Sequence, residues 1–282
     1  MGIRLGQVDY LNCLPVYHAL EEGLLNFDGR LVKGPPTMLN RMFLEGELEA
    51  TPISSIEYAR NSDSCLILPD ISISADGRVA SILLFSKFPV TEMEGKIIAV
   101  TTSSATSVVL LRILLEHYFH VEAELVPHSP SLNEMLAVAD GALLIGDDAM
   151  KAYNQMGGYG SGLAVTDLGE AWKQFTAQTA YTIIVWAVKK DFARENPASI
   201  ENLSRLLVAS RELGKEHRKS IVKKAHHKTG LPQAVLEEYF KTIRHGFNRN
   251  YRRALSLFYD YAYKSGIIEE RAKLEVWGEK ND

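Results

Sequence analysis

Residues 98–110 read Ile98-Ala99-Val100-Thr101-Thr102-Ser103-Ser104-Ala105-Thr106-Ser107-Val108-Val109-Leu110. The apolar run 97–100 has the length of a short buried strand. Val108, Leu111 and Leu115 then recur at helical spacing, so the stretch reads as strand, hydroxyl-lined turn and helix. The first turn of such a helix has unpaired N–H groups at the positive end of its dipole, a place for a carboxylate or phosphate. Ser104, Thr106 and Ser107 would add side-chain donors to the same spot. Capping the helix needs one hydroxyl, at Ser103 or Ser104. Five on the six residues 102–107 exceed that need, and the excess points to an anion or small-ligand site.

The same alternation extends to both sides. Before it, strands are predicted at 3–8, 31–33, 49–53 and 82–85. Pro15 sits in the first turn of one intervening helix, and Thr37 is expected to cap another that Gly46 closes. After it come strands at 97–100, 124–126 and 142–145, with Ser131 and Glu134 spaced as a capping box. The apolar strand 181–188 returns the chain to its first unit, and the pattern from Ser199 onward is helical. The expected architecture is α/β with two lobes and a mostly parallel sheet in each. One lobe is discontinuous (1–86 and 180–282) and the other is 87–179. Ligands of open α/β sheets bind at the carboxyl ends of strands. The polar groups predicted there are Asn12, Ser54-Ser55, Ser86, the 102–107 turn and Gly146-Asp147-Asp148.

Composition narrows the function classes. A chain of 282 residues with 46% hydrophobic and 23% charged residues is globular, with ample core. Its net charge of −4 gives no general attraction to nucleic acid or an anionic membrane, so an anionic ligand must be captured locally. Cys13 and Cys65 make neither a disulfide framework nor a zinc site. The N-terminus enters a strand directly and no run reaches the length of a membrane span, so the expected location is cytoplasmic. No metal, cofactor or oligomeric state is assigned. Cys13 lacks a paired His and reads as a small buried residue. His226-His227 lie in a basic helical segment, where adjacent positions diverge. His117 and His120 share a face without a third ligand. Arg249, Arg252 and Arg253, with Tyr251 and Tyr259, read as helix-surface charge. The glycine-rich stretch 157–162 lacks a strand–turn–helix setting and reads as a loop.

Several blocks together resemble the chorismate dehydratase family of the futalosine route to menaquinone. They are Gly6-Gln7-Val8-Asp9-Tyr10-Leu11-Asn12-Cys13-Leu14-Pro15, and Gly46-Glu47-Leu48-Glu49 followed by Ile53-Ser54-Ser55-Ile56-Glu57-Tyr58. Leu68-Pro69-Asp70-Ile71-Ser72-Ile73-Ser74, Ser81-Ile82-Leu83-Leu84-Phe85-Ser86-Lys87 and Ser103-Ser104-Ala105-Thr106-Ser107-Val108 follow in order. Leu143-Leu144-Ile145-Gly146-Asp147 and Asp167-Leu168-Gly169 with Trp172 complete the match, which covers about residues 3–190. The chain departs from the family at Thr176-Ala177-Gln178-Thr179-Ala180-Tyr181, where a Thr-Gly-Leu-Pro-Phe segment is usual.

The resemblance implies a fold like type II periplasmic binding proteins, and a lyase reaction without cofactor. That reaction is dehydration of chorismate, a dianion, to 3-[(1-carboxyvinyl)oxy]benzoate. On this reading Ser104, Thr106 and Ser107 bind one carboxylate. Ser54, Ser55 and Ser86 meet the other carboxylate or the ring hydroxyl, and Asn12 orients the reacting face or donates to the departing oxygen. The base is either the enolpyruvyl carboxylate of the substrate or Asp147, whose pKa a cleft would raise. Asp147 also reads as a strand-end turn or hinge-orienting residue, and Asp9 as structural. Three other functions remain open: a non-catalytic binding protein for a small carboxylate, 1,4-dihydroxy-6-naphthoate synthase, and an effector-sensing domain. The synthase is expected to place a catalytic His where this chain has Gly146.

Overall fold

The computed structural model describes residues 2–157, 162–177 and 179–279. Most of the glycine-rich stretch 157–162 lies outside the described residues, as does Gln178 in the divergent segment. The chain begins with β1 (Ile3–Val8), a 3-10 turn (Leu11–Cys13), α1 (Leu14–Glu21), β2 (Gly29–Gly34), α2 (Pro36–Leu44) and β3 (Ala50–Ser54). Next are α3 (Ser55–Arg60), β4 (Cys65–Ala75), β5 (Ile82–Ser86), β6 (Ile97–Thr101), α4 (Ala105–Leu114) and β7 (Glu124–His128). Then come α5 (Leu132–Val138), β8 (Gly141–Ile145), α6 (Gly146–Gln155), β9 (Ala164–Asp167), α7 (Leu168–Phe175) and β10 (Tyr181–Lys189). The remainder is α8 (Lys190–Glu195), α9 (Pro197–Glu216), α10 (Arg218–Thr229), α11 (Gln233–Thr242), β11 (Ile243–Arg244) and α12 (Arg249–Lys264).

Among the described residues the strands form two sheets, ordered β11-β4-β10-β3-β1-β2 and β7-β6-β8-β5-β9. β1 runs parallel to β2 and β3, and β6 parallel to β7 and β8. Each sheet also holds an internal strand of opposite sense, β10 between β3 and β4 and β5 between β8 and β9, and the short edge strand β11 is antiparallel to β4. The sheets are therefore mixed rather than mostly parallel. The cause is the chain path, which passes between sheets after β4 and returns to the first with β10, handing β5 to the second sheet and β10 to the first in reversed sense. β5, expected to close the first unit, pairs with β8 from Ile82↔Ile145 to Ser86↔Gly141 and so belongs to the second sheet. The passage between sheets falls before this strand, not after it.

Local physics explains the other departures. β4 has no counterpart among the predicted strands. Pro69 has no N–H to give a ladder, Asp70 has φ 59°, and the pairing with β10 shifts register across this stretch. The edge strand β9, four residues long, is likewise unpredicted. Pro36 takes the first helical position of α2, so Pro35 is its N-cap and Thr37 lies inside. Ser131 is the N-cap of α5, but its side chain accepts no capping bond.

Buried β3, β8 and β10 carry the core, with Trp172 and Trp186 wholly enclosed. Trp172 on α7 meets Tyr181, Phe258 and Tyr261 and donates through Nε1 to the Ala180 carbonyl at 2.9 Å. That cluster pins the second passage between sheets against α12. At the other end, α9 lies against α1 so closely that a Cβ at Gly214 would stand 1.9 Å from the Pro15 carbonyl oxygen. Gly214→Ala would gain about 1 kcal/mol of helix propensity. It would also force backbone apart, at about 1–3 kcal/mol. The contact wins: we expect a lower urea midpoint, measured by denaturant unfolding.

Candidate functional site

The strand ends and helix starts of the two sheets face one another around a cavity of about 30 Å³. Tyr10 and Asn12 reach it from the turn after β1, and Ser54 from the carboxyl end of β3. Ser81 and Ile82 come from the start of β5, and Ser104, Thr106 and Ser107 from the start of α4. Ile145 and Gly146 contribute the β8–α6 junction, and Ile183 and Ile184 an apolar wall on β10. Ser54, Ser81, Ser104, Thr106 and Ser107 are all buried, yet among the described residues no Lys, Arg, His, Asp or Glu lines the space.

The hydroxyl turn divides its labour. Ser104 is an ordinary N-cap: its Oγ accepts from Ser107 N at 3.2 Å and donates to Ser107 Oγ at 3.0 Å. Thr106 Oγ1 accepts from Ile56 N at 3.3 Å, which ties the start of α4 to the start of α3 on the other sheet. Ser104 has spent its proton on Ser107, but Ser107 and Thr106 each have one still to place, and helix geometry leaves early N–H groups of α4 without intrahelical acceptors. The result is a convergence of neutral donors. It suits a carboxylate or phosphate oxygen.

Asn12 stands opposite, in the 3-10 turn. Its carbonyl oxygen accepts from His245 Nε2 at 2.7 Å, while its side-chain Oδ1 is buried and has no partner within the protein. An unpaired buried acceptor costs about 1–3 kcal/mol, and Asn12 also lines the cavity with an amide that can both donate and accept. Tyr10 is half-buried with its hydroxyl bonded to Ser103, and burial pushes its pKa up to about 12, so it remains protonated. Its ring lies against Gly146, where a Cβ would be 3.4 Å from ring carbons. Gly146 has φ 57°, a left-handed conformation that a side chain here would strain.

The cavity brings together Asn12, Ser54, Ser104, Thr106 and Ser107 as expected, and three residues named alongside them lie elsewhere. Ser86 is at the opposite end of β5, where its Oγ donates to the Phe88 carbonyl at 2.6 Å. Because β5 runs antiparallel to β8, its first residues, not its last, meet the carboxyl end of β8. Ser55 turns into the core as the first residue of α3, and its carbonyl accepts from Tyr259 at 2.7 Å. Asp147 is buried behind the Asn12 turn: Oδ1 accepts from Leu11 N at 3.0 Å, and Oδ2 is 3.6 Å from Lys228 Nζ. Burial raises its pKa, opposed by the Leu11 N–H and by Lys228.

Three site residues were not anticipated. Tyr10 and Ser81 sit in quoted blocks, but only the strand directions place them. Asn40 is a lone amide on the buried face of α2 beside Leu39 and Phe43, and its Nδ2 donates to Ser54 Oγ at 3.2 Å. Ser81 Oγ likewise accepts from Tyr239 at 3.2 Å, leaving both serine protons to the cavity. The other candidates have structural partners. Lys228 holds Asp9 at 2.9 Å, His117 bonds Ser265, His226 bonds the Leu231 carbonyl, and Arg252 pairs with Glu279. Burial raises the Cys13 thiol well above its usual range. Among the described residues no group of three metal-ligating side chains occurs, and no helix is long and apolar enough to cross a membrane.

Comparison with known proteins gives the same outline. A family model described as menaquinone biosynthesis matches residues 3–264. The chorismate dehydratase of Thermus thermophilus is 32% identical over 270 residues, which span 90% of this chain and 93% of that protein. A crystal structure of an Archaeoglobus fulgidus protein aligns with a TM-score of 0.77 at 20% identity, over 94% of this chain and 98% of that one. The periplasmic aliphatic sulphonate binding protein of Escherichia coli aligns with a TM-score of 0.66 at 16% identity, over 96% and 95%. The fold is the binding-protein-like α/β architecture expected from the sequence.

Lys228 is the cation nearest to the buried Asp147 carboxylate. Lys228→Met should therefore cost about 1–2 kcal/mol of stability at pH 7. Lys228 lowers the Asp147 pKa from where burial alone would hold it, and this fixes the sign: the loss is present where the carboxylate is ionised and fades as pH falls through its folded-state value, which remains raised overall. Urea unfolding at several pH values checks this, and an equal loss at all pH values would contradict it.

Proposed function

The chain belongs to the menaquinone-biosynthesis family, and from that premise we propose that it is a carbon–oxygen lyase that dehydrates chorismate to 3-[(1-carboxyvinyl)oxy]benzoate. The observation that carries this reading is the cavity wall, rich in neutral donors and empty of bases. Elimination removes the ring C3 proton and the C4 hydroxyl, and the ring becomes aromatic. The reaction is strongly downhill, so the protein has to position groups rather than drive chemistry. Orientation of this kind is worth up to about 7–11 kcal/mol.

Roles follow from placement. The start of α4, with Ser107 and Thr106, receives one carboxylate, while Ser54 and Ser81 donate to the other carboxylate or the ring hydroxyl. Asn12 donates to the oxygen that departs, with the protonated Tyr10 beside it. Tyr10 is the one ionisable group in the described lining, and with a pKa of about 12 it is no base at pH 7. In this proposal the C3 proton passes to the substrate's own enolpyruvyl carboxylate, which lies close to C3–H, and from there to the departing hydroxide, so that water leaves and the carboxylate is regenerated. Asp147 acts through the Leu11 N–H as a positioning residue. The cavity of about 30 Å³ holds little more than one water, so in this proposal the two lobes part to admit the substrate. A catalytic His at position 146, as in the related synthase, is disfavoured by the φ of 57° and by the Tyr10 ring. The protein acts where chorismate is made, and the cytoplasm suits both.

Incubation with chorismate, followed by absorbance and mass spectrometry, tests this directly; binding without product would leave a binding protein instead. Asn12→Ala should lower kcat by about 10²–10³-fold. Ser81→Ala should cost roughly tenfold. Ser86→Ala should match the parent, and Asp147→Asn should lose less than Asn12→Ala. Loss of turnover in Ser86→Ala equal to that in Asn12→Ala would overturn the assignment of donors.

A further inference from the structure

On the outer side of the Asn12 turn is a crevice of about 520 Å³. Arg211, Lys215, Arg218, Lys241 and Arg244 line it, and among the described residues no acidic side chain does. In a chain of net charge −4 this is a local concentration of positive charge. Glu212 pairs with Arg211 and Lys215, and Glu238 with Lys241, which leaves three positive charges uncancelled. Arg218 and Arg244 meet carbonyls instead of carboxylates. Arg218 donates to Glu237 O at 3.0 Å, and Arg244 to the carbonyls of Lys241 and Ile243. Carbonyls satisfy single donors without cancelling charge, and each guanidinium has five N–H groups in a fork that fits phosphate. Phe240 and Tyr251 add aromatic surface to the same crevice.

The crevice shares a residue with the catalytic turn. His245 lines it, and its Nε2 is the group 2.7 Å from the Asn12 carbonyl oxygen. Burial pushes this imidazole down to about 4, against that hydrogen bond and with help from Arg211, Lys215 and Arg244. It is neutral at pH 7, and its Nε2–H donates to Asn12. An anion in the crevice would offset the cations that bear on it and so alter how firmly it holds the turn.

We propose that this crevice is a second anion site, for a phosphate-bearing small molecule with an aromatic body, whose occupancy reaches Asn12 through His245. A nucleoside diphosphate, with about three negative charges at pH 7, matches both the charge and the aromatic wall. The site stands apart from the lyase assignment; the transmission to Asn12 rests on it.

Calorimetric titration of the full chain with ADP and with pyrophosphate, at about 150 mM salt so that diffuse attraction is screened, tests the site. ADP should bind more tightly than pyrophosphate. The double variant Arg218→Gln/Arg244→Gln should weaken ADP binding by roughly tenfold or more while keeping the parent's Tm and its turnover without ADP. No ADP binding by the parent, or equal binding by the variant, overturns the site, and equal affinity for pyrophosphate overturns the aromatic part. Chorismate turnover then tests the transmission. ADP should change kcat in the parent and in His245→Gln, which keeps an N–H donor, but not in His245→Leu. Binding without any change in kcat overturns the transmission alone. If chorismate is not turned over at all, calorimetry still decides the site.

Discussion

A cleft that holds a small dianion without a cation has to do so with partial charges, and partial charges are strong only where water is excluded. The energy of a charge beside an N–H dipole falls with the local dielectric, from a protein-like value near 4–20 to about 80 in water. On the proposed function, binding and closure are therefore one event. The contacts that shut the cleft are made by its own donors: Thr106 Oγ1 receives Ile56 N across the lobes, and Tyr10 lies over Gly146. Opening the lobes to admit a ligand breaks the very arrangement that would hold it. A charged wall would attract the ligand from further away, and would also leave a lone buried cation once the product departs.

That arrangement has a cost in the protein itself, and part of it falls at the cavity. Buried side-chain atoms without a partner among the described residues include Asn12 Oδ1 and Asn40 Oδ1, one in the cavity wall and the other on the residue that holds Ser54. Each such atom costs about 1–3 kcal/mol, a large fraction of the stability of a typical domain. The support around Asn12 offsets this. Gly214 lets α9 press on α1, His245 grips the Asn12 carbonyl, and Asp147 grips the preceding Leu11 N–H. The amide stays in place because its backbone is fixed from several sides, with no need for a side-chain partner.

Much of this was legible in the sequence, and what was not has a common cause. The strand–turn–helix at 97–114 and the polar strand ends come from local rules: apolar period, caps and prolines. Asn12, Ser54 and the 104–107 hydroxyls are readable because each follows a strand that runs toward the cleft. Ser86 also follows an apolar strand and looks the same locally. Its strand runs the other way, so Ser81 takes its place, and nothing within 82–86 reports that direction. The supports of Asn12 come from 136 and 233 residues away along the chain, beyond any periodicity. Asn40 hides in a helix face for the same reason, since its partner Ser54 is on a different element.

Asp147 shows why a perturbed carboxylate at a strand end is an ambiguous signal. Desolvation raises its pKa whether it is to take a proton from a ligand or to hold a piece of backbone. What separates the two is where its oxygens point. A base needs an oxygen exposed to the reacting carbon, and here one is spent on Leu11 N and the other faces Lys228. Placed in the cavity, that charge would repel a dianion. One turn behind it, the same charge orders the loop that carries Asn12, and its field is partly met by Lys228 before it reaches the ligand. Exclusion of carboxylates from the wall and retention of one behind it follow from a single requirement: the negative charge in the cleft must be the ligand's own.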